Sequence, residues 1–391
     1  MAISSEQISM RILFSSTKGL GHLRPLLPYA LKAQSRGHSV CVATPDGADR
    51  TLKDLGLEHT PFATPADDDV KAVTAPWQGL PAQEFTVRFV QKVFADLRPR
   101  AALPAVRQTI NKWRPDLVVR ESGEFAAAIA AEEAGLQHAR VAPFCGTVEM
   151  RLIALAAEPV DQIRRESGLD PDEGVALRAA LSFSSFPPSL DGAEPAYLGP
   201  PPFRVRESRE PTGRESRPWA QSDGRPLLYI SFGTEAGSSP NTRAPYRLAL
   251  ETVSDMPIRA LLTTGPNIDV SSLGPAPANV AIEAWVPQGD VWPHATAFLC
   301  HGGSGTLLGG LAEGLPVVVL PLFADQPQNG RNVEAAGAGL ALLDPDAPSL
   351  RSAIERVLVD DGMRTAARRI ADEMAAMHSV DEAIDELERL R

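Results

Sequence analysis

Short apolar runs alternate along this chain with stretches in which apolar residues recur every three to four positions. The first run, residues 11–15 (Arg-Ile-Leu-Phe-Ser), predicts a strand. A glycine-rich turn from Thr17 to His22 follows it. Leu23, Leu26, Leu27, Ala30, Leu31 and Gln34 then recur at helical spacing, and Gly37 can close that helix as a left-handed cap. Residues 39–44 are apolar and β-branched and predict the next strand. Strand, turn, helix and strand in this order begin a doubly wound parallel sheet. Beyond it, the pattern predicts helix over 84–113, interrupted near Pro99 and Pro104, and a strand at 116–120. An alanine-rich helix at 123–133 ended by Gly135, a strand at 138–142 and helix over 150–182 complete this half.

The pattern then stops. From Gly199-Pro-Pro-Pro202 to Pro226 the chain is rich in Arg, Ser, Glu and Pro, and Trp219 is its one large apolar residue after Val205. Such composition cannot bury itself and predicts an interdomain linker over 203–226. A charged docking strip would have the same composition. The alternation resumes with strands expected at 227–231, 258–263, 280–284, 296–300, 317–320 and 339–343. Helices fit 244–255, 304–313, 328–336, 350–359, 363–377 and 380–390. The expected fold class is therefore α/β with two Rossmann-like doubly wound domains, 1–202 and 227–377, and a last helical segment at 378–391. Two such sheets facing each other would leave a central cleft at their strand carboxyl ends, where ligands bind.

Composition narrows this picture. A length of 391 residues suits two domains. The net charge of −11 disfavours nucleic acid and anionic membrane as partners. No apolar run reaches 18 residues, and residues 1–9 are polar, without the character of a signal peptide. Cys41, Cys145 and Cys300 lie in apolar, strand-like surroundings without metal spacing, as expected of reduced cysteines in a cytoplasmic protein. No cofactor or metal site is expected.

The sharpest local signal is Phe298-Leu-Cys-His-Gly-Gly-Ser-Gly-Thr306, an apolar run entering a glycine turn and then a helix. Gly303 and Gly305 let a ligand approach the backbone, and the first helical amides stand unpaired at the positive end of the helix dipole. A diphosphate fits there, with Ser304, Thr306 and His301 as further donors. No lysine follows the glycines, so this is not a P-loop, and the dinucleotide fingerprint is missing from the first strand. A turn that only tightens helix packing would look the same. Trp285-Val-Pro-Gln288 lies 16 residues before His301, where an indole can stack on a nucleobase and Gln288 can bond base or ribose. A core tryptophan is the alternative. Asp325 and Gln326, between an expected strand and helix, can bond sugar hydroxyls, although Asp325 also suits a helix cap.

His22 stands at the carboxyl end of the first strand, where a histidine can accept a hydroxyl proton near neutral pH. A solvent-exposed histidine at a helix start is the alternative. The strand at 116–120 leads into Glu121 and should lie beside the first strand, which would let Glu121 orient His22. Glu121 as a solvated loop carboxylate, or Glu124 in its place, remains open.

Together these residues resemble the glycosyltransferases of GT-B fold in the UDP-glycosyltransferase superfamily, above all the bacterial enzymes that attach deoxysugars to antibiotics. The resemblance covers nearly the whole chain and is strongest over 285–332 and over Gly19-Leu-Gly-His-Leu-Arg-Pro25. It implies an inverting, metal-independent displacement in which His22 deprotonates an acceptor hydroxyl and Glu121 stands where the family usually has Asp. His301, Gly303 and Thr306 match diphosphate positions, Trp285 and Gln288 base and ribose positions, and Asp325 and Gln326 the sugar-binding pair. Ser231, Gly233, Thr234, Val286, Ser304 and Gly305 are counted with the donor contacts. The implied partners are a nucleotide-sugar donor and a small-molecule aglycone, and a homodimer is compatible with the sequence. The loops at 62–90 and 143–156, with Trp77, Phe85 and Phe89, are expected to line an apolar acceptor.

One position departs from UDP-sugar users of this superfamily. They typically carry Glu eight residues after the motif His, gripping the ribose hydroxyls, and here that residue is Gly309. The departure favours dTDP-deoxysugars, whose ribose lacks the 2′-hydroxyl. A catalytically silent homologue that activates another transferase and a nucleotide-sugar epimerase are the alternatives. An intact His22 argues against the first, and Gly309 with the Gly-His-x-x-Pro turn argues against the second.

Overall fold

The computed structural model describes residues 9–192, 199–206, 217–233, 243–265 and 268–391. The chain forms two compact units. The first comprises Met1–Ser185, Ala193–Val205 and His378–Arg391, and the second Phe186–Gly192 and Arg206–Met377.

The first unit is built on a parallel seven-stranded sheet, ordered β3-β2-β1-β4-β5-β6-β7. Its strands are β1 (Arg11–Ser15), β2 (Ser39–Pro45), β3 (Glu58–Phe62), β4 (Leu117–Glu121), β5 (His138–Ala142), β6 (Leu181–Ser184) and β7 (Phe203–Arg204). Alternate residues serve its two faces. Ile12, Phe14, Val40, Val42 and Val119 join one core cluster, while Leu13, Cys41, Ala43 and Val118 join the other. A sheet covered on both faces in this way reads as continuous apolar runs, which is why β1, β2, β4 and β5 were visible in the sequence. The helix Phe125–Glu133 is buried from Phe125 through Ala131, and its alanines allow that close fit. The terminal helix Val380–Glu388 buries Val380, Ala383, Ile384 and Leu387 in the first unit, and Arg36 binds Asp385 at 2.6 Å.

The second unit carries a parallel six-stranded sheet ordered β10-β9-β8-β11-β12-β13. These strands are β8 (Leu227–Ser231), β9 (Arg259–Thr263), β10 (Val280–Glu283), β11 (Ala297–Cys300), β12 (Val317–Val319) and β13 (Gly339–Ala341). In each sheet the direction of winding reverses once, at β1/β4 in the first and at β8/β11 in the second. Adjacent loops diverge at such a reversal and leave room for a ligand at the strand carboxyl ends.

Several expectations need correction. Residues 150–182 are not one helix: Gly146–Glu166 is helical, Val175–Ala179 forms a short helix, and Leu181 opens β6. Phe203 and Arg204, expected in a linker, form β7, and Val205 and Trp219 are buried. Residues 207–216 of that stretch lie outside the described residues. Helix is not interrupted at Pro99 or Pro104: a π-helical stretch, Val90–Leu97, leads into the α-helix Arg98–Trp113, which contains both. Pro99 falls in the first turn of that helix, where its missing N–H costs no bond, whereas Pro104 stands inside the regular helix and removes one. The three cysteines are free and buried. Among the described residues, no helix is long and apolar enough to cross a membrane.

Candidate active site

In the first unit, β1 pairs in parallel with β4, with Ser15 opposite Arg120. That pairing brings the turn after β1 beside the end of β4. His22 Nδ1 lies 3.1 Å from Oε1 of Glu121, off the ideal hydrogen-bond direction. Glu121 is the last residue of β4 and fully buried, not a solvated loop residue. Its Oε1 accepts from the Gly123 amide at 2.9 Å, and its Oε2 has no protein donor. Glu124 is engaged otherwise. Its carboxylate caps the helix Phe125–Glu133, accepting from the Ala126 and Ala127 amides and from the Ser15 hydroxyl at 2.8 Å. Burial pushes the Glu124 carboxyl up.

Two features here escaped sequence reasoning. Arg120, wholly buried, donates from Nη1 to the carbonyls of Glu121 and Ser122 and so holds the turn that carries the carboxylate. Phe94, on the π-helical stretch, stands 5.6 Å from the His22 ring, and Phe144 stands 6.0 Å from it. A β-carbon on Gly123 would sit 3.2 Å from Phe94 and 3.3 Å from Glu121, so only glycine leaves both in place. The Arg98 guanidinium lies 4.1 Å over the centre of the Phe94 ring. From Phe94 the ring contacts continue through Phe89 (5.8 Å), Phe85 (5.9 Å) and Trp77 (6.1 Å). All these rings are half-buried, as in a lined surface rather than a closed core.

In the second unit, β8 pairs with β11, with Ser231 opposite Cys300. The loops after both strands meet at His301. A β-carbon on Gly233 would approach its ring to 2.8 Å and one on Gly303 to 2.4 Å. Glycine is required at both positions because the imidazole occupies the side-chain space. Burial pulls the His301 pKa down to about 4, against a weaker upward pull from the Ser231 backbone. The ring is therefore neutral at pH 7 and carries one N–H. Ser231 itself is buried at the end of β8, and Thr234 lies outside the described residues.

The helix Ser304–Ala312 starts after Gly303 without a side-chain cap, and its first bond along this path runs from Leu307 N to Gly303 O. The amides of Ser304, Gly305 and Thr306 thus have no partner within the helix, at the positive end of its dipole. Thr306 Oγ1 accepts from Gln288 Nε2 at 3.0 Å, and Gln288 also reaches the Tyr229 hydroxyl at 3.3 Å. Trp285 is 58% exposed, which removes the core alternative for it. Val286 is buried, so its side chain belongs to the core and only its backbone can meet a ligand.

Asp325 occupies the N-cap position of the helix Gln326–Ala335, yet its side chain does not cap. Its Oδ2 instead accepts from Asn329 at 2.7 Å. Gln326 is buried, and its Oε1 accepts from the Leu322 and Phe323 amides. That amide oxygen shapes the turn, a task not visible in the sequence. Ala324, within the turn, has a φ of 56°, a left-handed conformation unfavourable for alanine.

The chain is 31% identical over 376 residues to the L-demethylnoviosyl transferase of Streptomyces niveus, covering 94% of each protein. It is 30% identical over 382 residues to the elloramycin glycosyltransferase of Streptomyces olivaceus, again covering 94% of each. The chain belongs to the bacterial natural-product glycosyltransferases. Residues 249–390 of this glycosyltransferase match the family model described as erythromycin biosynthesis protein CIII-like, C-terminal domain. Among solved structures it is similar to the glycosyltransferase SnogD of Streptomyces nogalater, with a TM-score of 0.77 at 27% identity, covering 98% and 99% of the two chains. The calicheamicin glycosyltransferase CalG4 shares the fold, with a TM-score of 0.81 at 23% identity over 98% of both chains. The fold is GT-B, and the chain is a sugar transferase of secondary metabolism.

Proposed function

We propose that this glycosyltransferase is inverting and moves a deoxysugar from a dTDP-sugar to a hydroxyl of a flat, apolar aglycone. The observation that carries this reading is the His22–Glu121 pair at the end of β1 and β4. With the proton on Nδ1, the ring nitrogen beside the carboxylate, Nε2 keeps its lone pair for an acceptor hydroxyl, and the nearby carboxylate stabilises the imidazolium that forms. The hydroxyl oxygen attacks the anomeric carbon, the bond to the diphosphate breaks, and the configuration inverts.

In the second unit, the open amides at 304–306 and the neutral His301 N–H receive the diphosphate and stabilise its departure without a metal. Trp285 stacks on the base, Gln288 bonds at the nucleoside, and Asp325 accepts from sugar hydroxyls. The ring series Phe94, Phe89, Phe85 and Trp77 supports an apolar, flat acceptor leading to His22. Gly309 and the deoxysugar-transferring relatives support a dTDP donor. The aglycone is to be found by screening flat polyketide and phenolic acceptors with dTDP-sugars in excess EDTA. An α-linked donor should yield a β-linked product by NMR. Retention of configuration, or no transfer until Mg²⁺ or Mn²⁺ is added, would refute the mechanism.

A further inference from the structure

The turn at Gly302 and the helix that begins at Gln326 follow neighbouring strands, β11 and β12, and are packed without any gap. Gly302 has a φ of 85°, and a β-carbon there would fall 2.7 Å from Val319 and 3.2 Å from the carbonyl oxygen of Gln326. Gly330 brings the helix close to the sheet, since a β-carbon at that position would lie 2.9 Å from Ala341. Asn329 precedes it, fully buried and one helical turn after Asp325.

The Asn329 side chain bridges the two loops. Its Nδ2 donates to the Gly302 carbonyl at 2.9 Å and to Oδ2 of Asp325 at 2.7 Å. Both amide protons are therefore committed. The reverse orientation would set Oδ1 against a carbonyl and a carboxylate, so the hydrogen-bond partners fix the amide. Oδ1 has no protein donor, which is a cost tolerated for the sake of the two bonds from nitrogen.

We propose that Asn329 is a positioning residue that ties the sugar-recognising carboxylate of Asp325 to the diphosphate turn at Gly302. The inference rests on the donor site proposed above. It means that the carboxylate is held at a fixed distance from the diphosphate before the donor arrives. A sugar hydroxyl then meets an oriented acceptor, and no side-chain freedom is lost on binding. Asn329 does not need to touch the donor. Its effect on the sugar passes through Asp325, while the open amides at 304–306 stay in place without it.

The test compares binding of dTDP with binding of dTDP-glucose or dTDP-rhamnose, whichever sugar donor the unmutated protein holds more tightly. Calorimetry is run on the unmutated protein, Asn329→Ala, Asp325→Ala and the double variant. Asn329→Ala should leave dTDP affinity within about threefold and weaken the sugar donor roughly tenfold, the scale of a hydrogen bond to a charged group. In the Asp325→Ala background, Asn329→Ala should add less than about twofold, because coupled residues are not additive. Asn329→Leu keeps the shape and nearly the volume of the side chain without its donor if the alanine variant does not fold, and it should show the same selective loss. Independent, additive losses, or an equal loss of dTDP and dTDP-sugar, would overturn the positioning role. If Asp325→Ala alone binds the sugar donor normally, the donor-site reading fails and the inference fails with it.

Discussion

A β-carbon on Gly309 would stand 3.4 Å from both Cζ2 and Nε1 of Trp292. This is ordinary contact, so a side chain can start from position 309 without displacing the indole. In the donor site proposed above, a carboxylate there would hold both ribose hydroxyls, whereas glycine would leave the 2′-hydroxyl of a UDP donor without a partner at a cost of ~1–3 kcal/mol. The unmutated protein should bind dTDP on the order of tenfold more tightly than UDP, and Gly309→Glu should narrow or reverse the gap. Calorimetry with both nucleotides decides this. Equal affinities in the unmutated protein would sink the donor argument and leave the transferase assignment standing.

His22→Ala should lower turnover by ~10²–10⁴-fold, the usual contribution of a general base, with dTDP affinity unchanged. Steady-state kinetics with a saturating donor measure it. Near-normal turnover would remove His22 from the chemistry.

The two neighbouring carboxylates should separate cleanly. Glu121→Gln keeps an oxygen for the Gly123 amide but loses the charge beside His22, so turnover should fall while thermal stability changes little. Glu124→Gln weakens a helix cap and should cost roughly 1 kcal/mol of stability, with much of the turnover retained. The opposite pattern would mean that Glu124 is the partner of the base.

His138 should make the protein acid-sensitive. Burial, with the positive charges of Arg120, Arg140 and Arg164, pulls its pKa down to about 3. The unfolded chain takes up the proton near pH 6.5, roughly, so this contribution to stability is complete above that value and is lost as pH falls toward 3. Between pH 7 and pH 5 the loss should be about 2 kcal/mol. The buried Glu124 and Glu149, whose carboxyls are pushed up by burial, act in the opposite direction. The comparison is therefore with His138→Gln, whose denaturation free energy should decline less over this interval. Parallel curves for the two proteins would contradict the assignment.

Most central strands and the two glycine turns were legible in the sequence, because a parallel sheet buried on both faces requires unbroken apolar runs; the interior strand Leu181–Ser184, with serines at alternate positions, was read as the end of a helix. The strand at Glu58–Phe62 was not legible either, since it lies at the sheet edge, tolerates Pro61 and needs no continuous apolar run. The strand at Phe203–Arg204 forms the other edge and was lost in a polar stretch for the same reason. The sequence by itself determined the doubly wound pattern, the open helix start at 304–306 and the candidates His22, Glu121, His301 and Asp325. Only the tertiary structure decided how they are used. Strand order set Glu121 beside His22 and left Glu124 to cap a helix, and close packing buried Val286 and left Trp285 exposed. It also turned the Gln326 oxygen to its own loop and joined Asn329 to both Gly302 and Asp325. Residue type and spacing fix what a side chain can do chemically, whereas the direction it faces depends on contacts between residues far apart in the chain.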